Sequence, residues 1–154
     1  MGKLEQFSFI NSFEEYQLSV SYYMENMTKI FALCNEFQTL STCINDAKAE
    51  GCINNNNFKA VKTTWNNNSA QYAADYHVMS YMCGEGLKVL NPSYECLKML
   101  PDNSVQCRVH SHDCTIREKE ISCFSIAANA SCGYNARTYV TNMLQIYLCQ
   151  TLPE

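Results

Sequence analysis

Apolar residues recur along this chain at intervals of three and four, the spacing that stacks side chains on one face of a helix. No convincing segment alternates apolar with polar residues as a half-buried strand does. Ser12-Phe-Glu-Glu15 has the form of a capping box and predicts a helix start just before Tyr16. From there Tyr16, Val20, Tyr23, Met24, Met27, Ile30, Phe31 and Cys34 form one apolar stripe. A shorter helix is expected from about Leu40 to Glu50 and stops at Gly51, where the missing Cβ permits the left-handed terminating conformation. Asn54 to Asn57 read as a polar loop and Phe58 to Trp65 as two helical turns. Asn66-Asn67-Asn68-Ser69 then breaks the pattern and offers a fresh cap.

Tyr72, Tyr76, Met79 and Cys83 share a face of the next predicted helix, which Gly84 and Gly86 weaken and Asn91-Pro92 ends. Ser93 caps a short helix carrying Tyr94, Leu97 and Leu100, terminated by Pro101, and residues 101 to 114 read as loop. A helix from about Ile116 to Asn129 carries Glu120, Cys123, Phe124 and Ala127, with Gly133 as its stop signal. Ala136, Tyr139, Val140, Met143, Leu144, Tyr147 and Leu148 line one side of the last helix, which leads to Cys149. The expectation is an all-α, disulfide-stapled bundle of about five to seven helices. No linker, charge run or composition shift divides residues 1–154, so a single domain is expected.

The chain has ten cysteines, at Cys34, Cys43, Cys52, Cys83, Cys96, Cys107, Cys114, Cys123, Cys132 and Cys149. None forms the C-x2-C pair of a zinc knuckle, so the even count reads as five disulfides made in an oxidising compartment; their pairing is open. The alternative is a cytosolic protein with scattered, reduced core cysteines. Cys34, Cys43 and Cys52 are nine apart, as are Cys114, Cys123 and Cys132, which suggests a duplication. Nine residues advance a helix by about two and a half turns, so successive members would face opposite sides of one helix and each triplet demands a bend. Otherwise the bridges simply join helix ends.

Hydrophobic residues make up 47% of the 154, with ten Tyr and seven Phe, enough for a real core that the bridges reinforce. The formal charge of −4 and the lack of any Lys/Arg cluster argue against nucleic-acid or anionic-membrane partners. No stretch approaches the ~18 apolar residues of a transmembrane segment. Met1-Gly2-Lys3-Leu4-Glu5-Gln6 leads into no apolar run, so no signal peptide is read there. Gln6 also occupies the position where myristoylation needs Ser or Thr. The expectation is a secreted, extracellular mature segment, or a chain whose first coding segment is missing. Asn26-Met-Thr28, Asn67-Asn-Ser69 and Asn129-Ala-Ser131 are candidate N-glycosylation sites, although a chain so rich in Asn, Ser and Thr contains such triplets by chance.

The order Leu33-Cys34, Cys43, Cys52, Met82-Cys83, Glu95-Cys96-Leu97, Cys107, Cys114, Cys123, Cys132-Gly133 and a closing Cys149 resembles the nematode cysteine-rich family called domain of unknown function 19, over about residues 30 to 150. That family usually carries a further cysteine pair near its amino terminus, which residues 1 to 33 lack. The resemblance implies a secreted extracellular module with no established activity and supplies no catalytic residues. Cys107-Arg-Val-His110-Ser-His112-Asp113-Cys114 distantly resembles the His-Asp helix of secreted phospholipases A2, and Tyr81-Met-Cys-Gly-Glu-Gly86 their calcium loop. Ser111 follows His110, the double cysteine is absent, and Leu87 stands where a Gly is needed. His110, His112 and Asp113 also raise metal binding but lack a fourth ligand, so a solvated loop between bridges is the simpler reading. His77 reads as a boundary residue on its helix.

No G-x-S-x-G, H-E-x-x-H or phosphate-cradling loop occurs, and bridged cysteines supply no nucleophile. The expected function is therefore that of a non-catalytic extracellular module, a protein-interaction domain, with no catalytic residues, metal or cofactor assigned. The alternatives are a helical carrier of a small apolar ligand, suggested by the Met- and Tyr-rich helix faces, and a diverged phospholipase A2-like hydrolase.

Overall fold

In the computed structural model, residues 12–46, 51, 53–61, 68–100, 107 and 114–151 are described. Among them are six helices and no strand: α1 (Phe13–Tyr23), α2 (Met27–Asp46), α3 (Asn55–Val61), α4 (Ser69–Cys83), α5 (Glu85–Lys98) and α6 (Cys114–Thr151). The all-α, disulfide-stapled class is that expected from the apolar periodicity together with the cysteine count. The chain divides into two compact units, residues 1–73 and 74–154, with the boundary inside α4.

In the first unit, Ser12 caps α1 as the capping box predicts, its hydroxyl accepting from the Glu15 amide at 3.2 Å. The expected continuous stripe to Cys34 is nevertheless broken at Met24–Asn26. Asn26 turns its Oδ1 onto the Lys29 amide at 3.0 Å and so starts α2 afresh. Apolar spacing runs through such a cap unchanged, so periodicity alone misses it.

The break expected before Leu40 is absent: α2 continues, with the Thr39 and Thr42 hydroxyls donating back to the Asn35 and Gln38 carbonyls. Gly51 does not take positive φ; among the described glycines only Gly133 does. Asn54-Asn57 is no loop either. Asn54 Oδ1 accepts from the Asn57 amide at 2.9 Å, capping α3 three residues earlier than the apolar pattern indicated.

Tyr72 is the packing centre of this unit. Phe13 meets its ring edge-on at 5.0 Å, Tyr16 lies at 5.5 Å, and Phe58 stacks at 6.1 Å. Such pairs add about 0.5–1.5 kcal/mol each beyond the area they bury. They hold α1, which has no fully buried residue of its own. Ser69, at the start of α4, is buried and donates to Asn55 Oδ1 at 2.6 Å.

In the second unit α5 packs against α6. Gly86, Leu90, Ser93 and Tyr94 form its buried face. Pro92 was expected to end the helix but lies inside it. Proline withholds the amide that would reach the Lys88 carbonyl, a cost of about 3 kcal/mol in a helix interior. Lys88, Asn91 and Pro92 are all exposed, so water can satisfy that carbonyl while the opposite face stays buried. Ser93 is accordingly a core residue and not a cap.

The 38-residue α6 contains one break, at Gly133, with φ 83° and ψ −175°. That region is open essentially to glycine alone, which is why the predicted stop signal acts there. Ala128, on the arm before the break, and Ala136, Tyr139 and Leu148, on the arm after it, are buried. Ser125 and Thr141 join the two arms through a hydroxyl–hydroxyl hydrogen bond of 2.5 Å. No helix among the described residues is long and apolar enough to cross a membrane.

Candidate functional site

Two of the bridges are resolved as pairs: Cys96–Cys132 ties α5 to the first arm of α6, and Cys107–Cys123 ties the preceding segment to the same arm. Cys123 and Cys132 are nine residues apart on one unbroken stretch of helix and therefore face opposite sides. The helix does not bend to reconcile them; each reaches a different partner. Cys34 and Cys83 are also disulfide-bonded.

Cys43 departs from the expectation that all ten cysteines are paired. Its thiol is free and exposed. It sits two and a half turns from the buried Cys34 on the uninterrupted α2, which directs it outward. Cys52 lies outside the described residues, as do Asn67, His110, His112 and Asp113, while Cys114 and Cys149 lie on α6 with side chains that are not described. Asn26 is exposed at the N-cap of α2, and Asn129 is exposed within α6.

The second unit carries an open groove of about 620 Å³, lined by His77, Ser80, Tyr81, Gly84, Glu85, Gln145 and Ile146. His77, Ser80, Tyr81 and Gly84 follow the three-and-four spacing of one helical face along the end of α4. Tyr81 is its best-fixed wall. Asn142 Nδ2 donates to its hydroxyl at 3.1 Å, and its ring stacks on Tyr139 at 5.9 Å. On the other side a Cβ on Gly86 would stand 2.8 Å from the Tyr81 carbonyl oxygen and 2.9 Å from its Cε1. Glycine is therefore required for the ring to lie against α5.

The Tyr81–Gly86 segment is the end of α4, a one-residue turn and the start of α5, with the Gly84 amide donating to the Ser80 and Tyr81 carbonyls. Carbonyls engaged in this way form no open calcium loop.

Behind the groove wall, Tyr139 is 4% exposed and its hydroxyl has no hydrogen-bond partner among the described residues. Burial, with Tyr81 adding to it, raises its pKa well above the ordinary phenolic value. On α4, Asp75 is half-buried, and burial pushes its carboxyl up to about 6. Tyr147 is also raised, by burial first and then by the Asp75 charge, with Arg117 acting in the opposite sense. Arg117 pairs with Glu120 at 2.9 Å, and its Nε is buried without a partner among the described residues.

Among the described residues no group of three or more His, Cys, Asp or Glu side chains gathers to hold a metal ion. Arg117 and Glu120 pair on the first arm of α6, and Asp75 on α4 and Arg117 both act on Tyr147. The groove can offer apolar contact from Tyr81 and Ile146 and polar contact from His77, Ser80, Glu85 and Gln145. Sequence reasoning placed His77 at a boundary and missed the groove, because Gln145 and Ile146 join α4 only through tertiary packing. Comparison with protein-family models, with curated proteins and with solved structures finds no match.

Proposed function

We propose that the protein is a secreted, disulfide-braced helical module that acts by binding an extracellular protein, and not by catalysis. The observation that carries this reading is the double clamp on α6: Cys96–Cys132 and Cys107–Cys123 fix one helix arm from both sides. Such cross-links persist in oxidising compartments and are rare in the reducing cytosol. The order of the cysteines, which resembles that of the nematode domain of unknown function 19, points the same way.

Binding surface is available in the second unit. Met99, Ile126 and Tyr134 are large apolar side chains left 78%, 63% and 73% exposed, and the α4–α6 groove adds a shaped recess with a polar rim. The groove is open along its length. That suits a surface contact better than a carrier, which must enclose most of its cargo.

The test is capture from extracellular fluid on the intact protein and on an Ile146→Arg variant, after circular dichroism establishes that both are equally folded. A protein retained by the wild type and lost on the variant supports the reading. Equal retention on both, or retention of nothing, argues against the groove as the contact surface.

A further inference from the structure

The three sequons are not equivalent in this structure, and the difference follows from backbone geometry. Transfer of a glycan to Asn requires the hydroxyl two residues on to approach the Asn side-chain amide. Within a helix, residues i and i+2 do not face one another. Asn129 and Ser131 are held in that relation, inside the α6 arm that Cys123 and Cys132 clamp at two points.

Asn26 is placed differently. It lies in the bend between α1 and α2 as the N-cap residue, a position with non-helical backbone, and its side chain curls over the first turn in which Thr28 lies. Both Asn26 and Thr28 are exposed. The cap uses only the carbonyl oxygen, which accepts from the Lys29 amide at 3.0 Å. Nδ2, the atom that would be modified, makes no hydrogen bond within the described structure. Neighbouring Lys29 is already occupied, by Glu25 and by the Tyr22 ring at 3.4 Å.

We propose that Asn26 is the acceptor of an N-linked glycan and that the cap on α2 survives the modification. The donor is a lipid-pyrophosphate-linked oligosaccharide. Asn26 Nδ2 forms a bond to the anomeric carbon, the bond from that carbon to the pyrophosphate oxygen breaks, and the lipid pyrophosphate leaves with the electron pair. Nδ2 loses one proton to solvent, and no oxidation or reduction occurs. Because the side-chain carbonyl keeps its oxygen, the bond to the Lys29 amide is retained and α2 starts in the same place. This inference rests on the secretory reading, since the donor is met only along that route.

The test translates the full chain behind a heterologous export leader in the presence of microsomes, in an Asn67→Gln background. Chains protected from external protease are scored for glycosidase-sensitive size steps. The expected result is one step, lost in Asn26→Asp and in Thr28→Ala and kept in Asn129→Gln. Asn26→Asp retains a capping oxygen, so loss of the step there is not a folding failure. A protected chain with no step, or a step lost only with Asn129→Gln, overturns the assignment. If the step maps to Asn26 but the natural protein is found inside cells, the secretory reading fails while the acceptor geometry stands.

Discussion

Removing the Cys96–Cys132 bridge, by replacing both cysteines with Ala so that no stray thiol remains, is the most quantitative test of what holds α5 to α6. The bridge spans 36 residues and encloses the Cys107–Cys123 bridge, which spans 16. With the inner bridge closed, the free path between Cys96 and Cys132 shortens from 36 residues by 16, to about 20. Chain entropy then assigns the outer bridge ~3.3 kcal/mol when the inner one is intact and ~3.8 kcal/mol when it is absent. For a chain of this size the first value is a fall in Tm of about 7 to 13 °C, measured by circular dichroism. Against a typical total of ~5–15 kcal/mol the loss is large. A fall of less than about 2 °C would refute the reasoning, because it would mean that α5 is held by burial of Leu90 and Tyr94 alone.

Four further outcomes follow from single residues. Gly133→Ala meets no neighbouring atom but must adopt a backbone conformation reserved for glycine, so it should cost ~1–3 kcal/mol. Gly51→Ala, with open space and no positive φ, should change stability by less than about 0.5 kcal/mol under the same denaturant titration. Asp75 has a folded pKa of about 6 against an ordinary value of 3.8, so the folded state binds the proton more tightly and stability falls as pH rises between those values. Asp75→Asn should remove that slope and stabilise the protein near neutral pH by roughly 1–2 kcal/mol, the full linkage value being reduced for the part of the carboxylate that water still screens. An unchanged slope would mean that another group titrates. Tyr139→Phe keeps the ring stacked on Tyr81 and deletes the orphaned hydroxyl, so chemical denaturation should show a gain of up to ~1 kcal/mol. A loss instead would reveal a partner for that hydroxyl.

Much of the fold was legible from local chemistry. Ser12 and Gly133 act as their residue types predict, because a capping hydroxyl and a positive-φ glycine are decided within a few residues. Pro92 and Asn26 were misread for complementary reasons. Proline's local penalty at 92 is outweighed by a buried face that becomes visible only when α6 packs against α5. The cap at Asn26 interrupts a stripe whose apolar spacing continues on both sides. The nine-residue cysteine spacing suggests a bend under the duplication reading, whereas the straight stretch from Cys123 to Cys132 presents its two sides to two partners. The groove was not legible at all. Its α4 wall has helical spacing, but Gln145 and Ile146 lie about sixty positions later, and the two stretches meet through tertiary contacts such as Tyr81 with Tyr139 and Asn142.

The central claim is that specific sulfur pairs lock this helical fold. Proteolysis of the unreduced natural protein, with free thiols blocked beforehand, followed by mass spectrometry of the linked peptides, tests it directly. The account predicts peptides joined through Cys96 to Cys132 and through Cys107 to Cys123, with Cys43 carrying the blocking group. Recovery of Cys96, Cys107, Cys123 and Cys132 as blocked free thiols from folded protein would contradict it.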